Sequence, residues 1–272
     1  MKKILFPLLL ILFSCSNDEN QISEPVVDNI YFPAIDSDQW ETINPEELNW
    51  NSLGIDNLYN FLQLNNTRAF IVLKDGKIVL EKYWGNNVLN TAPFDSNSNW
   101  YWASAGKTLT AFLVGIAKDN GILSLEDSSS IFLGNGWTSL EESQENLIKI
   151  KHHLTMTTGL DYLVDNLDCT DPNCLTYKNT PGTNWFYHNA TYSLLKDVIE
   201  NASETTYNDF TNQKVKMKIG MGGSWIQSNY NNIYWSTARD MARFGLLILN
   251  EGVWDNQVIL SDTNYFSNMV NT

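Results

Sequence analysis

The chain has 272 residues, of which 43% are hydrophobic, and a formal net charge of -14. That length suffices for one large domain or two closely packed ones. The acidity argues against a nucleic-acid partner, because phosphate binding needs a basic surface.

Lys2 and Lys3 precede an apolar run over 4–13, which is too short to cross a bilayer as a helix. Leu12-Phe-Ser-Cys15 has the form of a bacterial lipoprotein cleavage box. Residues 1–14 therefore read as a signal peptide. Lipidation of Cys15 would then anchor the protein by acyl chains, without a membrane-spanning helix. The expected location is the bacterial cell envelope, on the outer membrane or its periplasmic side. Residues 15–45 are polar and punctuated by Pro25, Pro33 and Pro45, which reads as a tether. A folded domain over 46–272 follows. Apolar residues at helical spacing predict a helix over 53–64. Two apolar runs flanking Lys74-Asp-Gly76 predict a hairpin of 69–73 with 77–84.

The most informative segment is Ser104-Ala-Gly-Lys107. It follows the extended aromatic run Asn99-Trp-Tyr-Trp-Ala103 and precedes Leu109, Phe112, Leu113 and Ile116 at helical spacing. A serine and a lysine three apart at a helix start share one face. The lysine ammonium can then ease ionisation of the serine, a weak nucleophile until a neighbour activates it. Free N–H groups at the helix start favour a developing oxyanion. Such a pair arises by chance about once in a chain this long. A second copy exists at Ser193-Leu-Leu-Lys196, inside a helical run. The partner tyrosine has two candidates in the same way, Tyr187-His-Asn189 and Tyr230-Asn-Asn232.

Downstream the pattern is mainly helical, with polar loops over 165–184 and 222–235. Cys169 and Cys174 flank Thr170-Asp-Pro-Asn173, and in an exported protein such a pair reads as a local disulfide. His152, His153 and His188 have no metal-ligand spacing. No metal and no cofactor are expected.

Several segments, in order over about 65–260, resemble the serine hydrolases related to class C β-lactamases. Trp102-Ala-Ser-Ala-Gly-Lys-Thr-Leu-Thr-Ala111 is similar to the family's nucleophile segment. His153-Leu-Thr-Met-Thr-Thr-Gly-Leu160 resembles its L-T-M-T-S-G-L stretch, and Pro181-Gly182 through Tyr187-His-Asn189 its P-G-x-x-x-x-Y-x-N segment. Ser236-Thr-Ala-Arg-Asp240 with Ala242-Arg-Phe-Gly245 resembles its late helix. The resemblance implies an α+β, β-lactamase/transpeptidase-like fold, with a helical domain packed on an antiparallel sheet. It also implies that Ser104 is the nucleophile, Lys107 its activator, Tyr187 the base and Asn189 a ligand for a substrate amide.

The family's third motif, K-T-G or H-x-G on a C-terminal strand, has no good match before Thr272; Lys218-Ile-Gly220 has similar letters in the wrong context. The chain thus resembles a C-terminally truncated member, with an incomplete sheet and, on its own, weak or no activity. The expected function is a cell-envelope serine hydrolase forming an acyl-enzyme on an ester, amide or β-lactam. Its partners would be a small-molecule or peptide substrate and, through the lipid anchor, the membrane. The alternative is a non-catalytic envelope lipoprotein of the same fold that binds a peptide or glycan. A Ser-His-Asp hydrolase is disfavoured, because Ser104 lacks the G-x-S-x-G frame.

Overall fold

The computed structural model describes residues 30–271. Cys15, the signal segment and the first half of the tether lie outside the described residues. The tether ends earlier than the sequence suggests. From Ile30 onward the chain packs on the domain, with Ile30, Tyr31 and Phe32 against the core and Trp40 buried within it. Residues 41–43 run beside the first hairpin, and Ile43 N–H donates to the Ile78 carbonyl at 2.9 Å. Buried Arg243 explains the ordering. Its guanidinium donates to the carbonyls of Pro33, Ala34, Ser37 and Ile219 and lies over the rings of Trp40 and Trp254. A polar, proline-marked segment thereby gains fixed partners that its composition does not reveal.

Helix α1 (Ser52–Leu64) starts at Asn51, whose side chain accepts from Gly54 N–H. Strands β1 (Ala69–Lys74) and β2 (Lys77–Tyr83) form the predicted antiparallel hairpin. Gly76 turns it with φ +80°, and a Cβ there would stand 1.8 Å from the Tyr31 carbonyl oxygen, so only glycine fits. The short β3 (Trp100–Tyr101) leads into α2 (Gly106–Asp119). Three short helices follow: α3 (Ser130–Leu133), α4 (Glu142–Glu145) and α5 (Ile150–Leu154). After a long irregular stretch come α6 (Asn189–Ser193), α7 (Leu195–Ser203), α8 (Tyr207–Thr211) and α9 (Met217–Ile219).

Strands β4 (Ser224–Ser228) and β5 (Asn231–Ser236) then form a second hairpin, and β5 also pairs with β3, giving the order β3-β5-β4. This corrects the loop expected over 222–235. Four of the five β4 residues are exposed, so the strand shows no run of inward apolar residues. Trp225 is its one buried residue, and the Asn208 side chain bonds the Trp225 N–H and carbonyl. The chain continues through α10 (Ala238–Leu249), the two-residue strands β6 (Val253–Trp254) and β7 (Gln257–Val258), and α11 (Thr263–Val270).

Helix α2 is the centre of the molecule. Leu109, Phe112, Leu113, Val114, Ile116 and Ala117 are buried around its whole circumference, under α7 on one side and α11 on another. A helix apolar on all sides belongs inside a core. A smaller cluster of Trp137, Ile148, Leu160, Leu175, Ala190 and Leu194 sits below the irregular stretch that leads to Tyr187. The two clusters hold the two walls of one cleft.

Candidate active site

The first wall is the turn from β3 into α2. Trp102 N–H donates to the Tyr234 carbonyl at 2.8 Å and its indole to Ser236 Oγ at 2.8 Å, so β5 fixes the approach. Ala103 has φ +46°, the left-handed region. For a residue with a Cβ this costs on the order of 1 kcal/mol, and such strain persists where neighbours enforce it. The turn presents Ser104 at the surface, in a single 3₁₀ turn (Ala103–Ala105) that runs into α2. N–H groups of a first helical turn have no intrahelical acceptor. Ala105 N–H donates to the Trp102 carbonyl at 3.0 Å and Gly106 N–H to the Ala103 carbonyl, so in this turn the Ser104 N–H is the donor that can serve an oxyanion. Gly106 completes the wall. A Cβ there would come within 3.3 Å of the Trp225 ring, which sits between the Tyr207 and Tyr234 rings and donates to Thr211 Oγ1.

Lys107 stands one turn on. Its ammonium donates to Ser104 Oγ at 3.5 Å and to Asn189 Oδ1 at 2.5 Å. It also lies over the rings of Tyr187, at 5.3 Å, and Tyr192, at 5.8 Å. Tyr192 OH donates to the Lys107 carbonyl, tying α6 to α2. Tyr187 reaches the same point from the second wall. It is 44% exposed, so solvent and a substrate can reach it. Burial of the phenol raises its pKa, but hydrogen bonds with Ser104 and Lys107, and the ammonium charge, outweigh that and leave the value lowered. Asn189 opens α6 at the wall's base. Its Nδ2 donates to Asp168 Oδ1 and to Asn231 Oδ1, both at 2.6 Å. Ser104, Lys107, Asn189, Asn231 and Trp225 line a cavity of about 200 Å³.

The structure thus brings Ser104, Lys107, Tyr187 and Asn189 together from positions 85 residues apart. The serine, lysine and tyrosine of the competing motif copies are bonded to other groups. Ser193 Oγ donates to the Asn189 carbonyl, Lys196 pairs with Asp197 and Glu200, and Tyr230 OH donates to Asp171. Lys218-Ile-Gly220 closes α9 beside Ile35 and Arg243 rather than lying on a strand. Cys169 and Cys174 are joined by a disulfide. Sequence reasoning missed Asp168, Asn231, Tyr192 and the Gly106–Trp225 contact. Asn231 lies inside the second tyrosine motif copy, Tyr230-Asn-Asn232.

A family model described as Beta-lactamase matches residues 67–267. The chain belongs to the beta-lactamase family. Penicillin-binding protein 4* of Bacillus subtilis (strain 168) is 29% identical over 146 residues, covering 47% of this chain and 31% of that protein. A structure assigned as a 6-aminohexanoate-dimer hydrolase from Bacillus anthracis superposes with a TM-score of 0.63 at 19% identity, covering 79% of this chain and 62% of that one. A penicillin binding protein from Bacillus halodurans gives 0.60 at 17% identity, covering 77% of each chain. These likenesses show a β-lactamase/transpeptidase-like α+β fold for this family member. The chain spans under a third of the Bacillus subtilis protein and under two thirds of the Bacillus anthracis one.

Proposed function

We propose that this beta-lactamase family member is a cell-envelope serine hydrolase that passes through an acyl-enzyme on Ser104. One observation carries the reading: Tyr187 and Lys107 converge on Ser104 Oγ from opposite walls, with the phenol pKa lowered. In this mechanism the Tyr187 phenolate takes the Ser104 proton while Lys107 offsets the developing negative charge. Ser104 Oγ bonds to the carbonyl carbon of an ester, amide or β-lactam. The Ser104 N–H, in the 3₁₀ turn that runs into α2, stabilises the oxyanion. Collapse of the tetrahedral intermediate breaks the bond to the leaving oxygen or nitrogen, which takes the proton from Tyr187. Water then attacks the ester, giving its proton to Tyr187, and Ser104 recovers a proton as it leaves. The envelope location rests on the sequence before residue 30, with Cys15 as the lipidated residue.

The test is adduct mapping. The protein, expressed from its own coding sequence with its leader, is treated with a fluorophosphonate and with a fluorescent penicillin and digested for mass spectrometry. The expected adduct is on Ser104, lost in Ser104→Ala and retained in Ser193→Ala. An adduct on Ser193 would overturn the assignment. No adduct on any serine would replace it with a non-catalytic binding lipoprotein.

A further inference from the structure

The oxygen and both N–H groups of the Asn189 carboxamide are engaged, and its partners differ in what they can do. Its oxygen accepts from Lys107, a donor only; its nitrogen gives one N–H to Asp168 and the other to Asn231. A carboxylate accepts and cannot donate, whereas an asparagine side chain can turn over and do either. Asn231 therefore tolerates a flipped Asn189. Asp168 does not, because a flip would set two acceptors face to face. Asp168 thus imposes the orientation in which Asn189 Oδ1 aims at the Lys107 ammonium, and that contact directs the remaining ammonium N–H groups toward Ser104 and Tyr187.

Asp168 is itself held with unusual care for a residue in an irregular stretch. Its N–H donates to Asn166 Oδ1 at 3.0 Å, and Cys169 N–H donates to the Asn166 carbonyl at 3.2 Å. The preceding carbonyl, of Leu167, accepts from Ala190 N–H at 2.8 Å, which pins the loop to the start of α6. The next residue is Cys169, buried and cross-linked to Cys174. Inside that small ring Asp171 accepts from Tyr230 OH at 2.7 Å, at the tip of the β4–β5 hairpin that carries Asn231. The cross-link lies one residue from the acceptor that orients Asn189. Closing so short a ring adds little global stability in the chain-entropy account. It does restrict where Asp168 can go.

We propose that Asp168 is a positioning residue for the reaction at Ser104, and that the Cys169–Cys174 disulfide holds it in place, so that the site works at full rate only with the loop oxidised. The inference rests on the acyl-enzyme reading above. A substrate carbonyl that reaches Asn189 replaces Asn231, the partner on the hairpin, while Asp168 stays.

The experiment measures the acylation rate constant and the apparent dissociation constant for a fluorophosphonate probe, on the leader-bearing protein. Asp168→Ala should slow acylation by about 10–100-fold with little change in probe affinity, as misplacement of a catalytic group does. Asp168→Asn, whose side chain can turn over as that of Asn231 can, no longer forbids a flipped Asn189 and should recover only part of that loss. The paired change Cys169→Ser with Cys174→Ser, or two-electron reduction of the wild type by dithiothreitol, should fall to the level of Asp168→Ala. A second readout needs no activity: the ¹⁵N-labelled carboxamide protons of Asn189, assigned by their loss in Asn189→Ser. They should exchange slowly in wild type, and faster in Asp168→Asn, in Asp168→Ala and after reduction. Asp168→Ala at wild-type rate and exchange would overturn the proposal. Asp168→Asn at wild-type rate and exchange would show that a flipped Asn189 is excluded without an acceptor-only partner, and would overturn the orienting role. Reduced protein with wild-type rate and exchange would remove the disulfide from it. If no serine is acylated, the acyl-enzyme reading fails, and the carboxamide exchange still decides whether Asp168 orients Asn189.

Discussion

Lys107 meets two hydrogen-bond acceptors and two aromatic faces at once, and each contact makes a different demand on it. The ammonium lowers the Tyr187 pKa, so the phenolate is populated at lower pH than for a free tyrosine. Activity should therefore rise as pH rises through that lowered value. Lys107→Met keeps the stem and removes the charge, so the ascending limb of kcat/KM should move to higher pH in whatever activity remains. A limb that stays in place would show that Tyr187 is not the base. Groups that act as one unit lose function non-additively. Lys107→Ala, Tyr187→Phe and the double variant should each lower turnover by about 10²–10⁴-fold, with the double little worse than either single, in steady-state assays on p-nitrophenyl acetate or nitrocefin. Ser104 and Lys107 were legible because a helix brings residues three apart together. Tyr187 and Asn189 were legible only through the resemblance. Asp168 was not, because nothing local says which carboxylate among Asp161, Asp165, Asp168 and Asp171 will face Asn189.

Close approaches show how strictly the elements constrain the residues between them. Gly115, in the middle of α2, has the Tyr265 ring of α11 where a side chain would be: a Cβ would lie 2.4 Å from its Cε1. In an open helix Gly→Ala stabilises by about 1 kcal/mol. Here Tyr265 is anchored by its OH donating to the Ala111 carbonyl and cannot swing away without breaking that bond. Gly115→Ala should therefore destabilise, by about 1–3 kcal/mol net, through overpacking. Urea unfolding monitored by tryptophan fluorescence checks the sign; an increase in midpoint would mean that α11 shifts freely. Helix α2 and the β1–β2 hairpin could be read from the chain because each has a period and a stop: 3.6-residue spacing ended by Asn120-Gly121, and two apolar runs around Asp75-Gly76. The β4–β5 hairpin had neither. Its order comes from pairing with β3, 131 residues away by the Trp100–Asn231 start points, and from one buried indole.

All three histidines of the chain are held with lowered pKa values, and desolvation is the first cause in each. His153 is fully buried, with a pKa of about 4; its Nδ1 pairs with the Thr191 carbonyl and its Nε2 with Ser129 Oγ, the pattern of a neutral ring. A lowered folded value means that the unfolded chain binds more protons between that value and about 6.5. Stability should thus be lost as pH falls through that window, by about 2 kcal/mol between pH 7.5 and 5 from His153 alone. His152 and His188 add to it with the same sign. Urea midpoints at pH 7.5, 6 and 5 should fall in step, and the His153 ring should stay unprotonated at pH 5 by NMR; a flat stability profile would contradict this. The sequence by itself determined the local and the periodic: the central helix, the Asp-Gly turn, the Ser-Lys face and the order of segments that marks the family. Each depends on residues close enough along the chain for backbone geometry to relate them. Tertiary structure alone decided the rest: which tyrosine and asparagine meet Ser104, that residues 30–45 are clamped by Arg243 and not left as a tether, that 224–236 is sheet, and that Asp168 stands behind Asn189. Those contacts are made by polar side chains whose partners lie tens to hundreds of residues away. Polar residues carry no periodic signature of where they will point, because each is satisfied equally well by water until the apolar core brings its partner within reach.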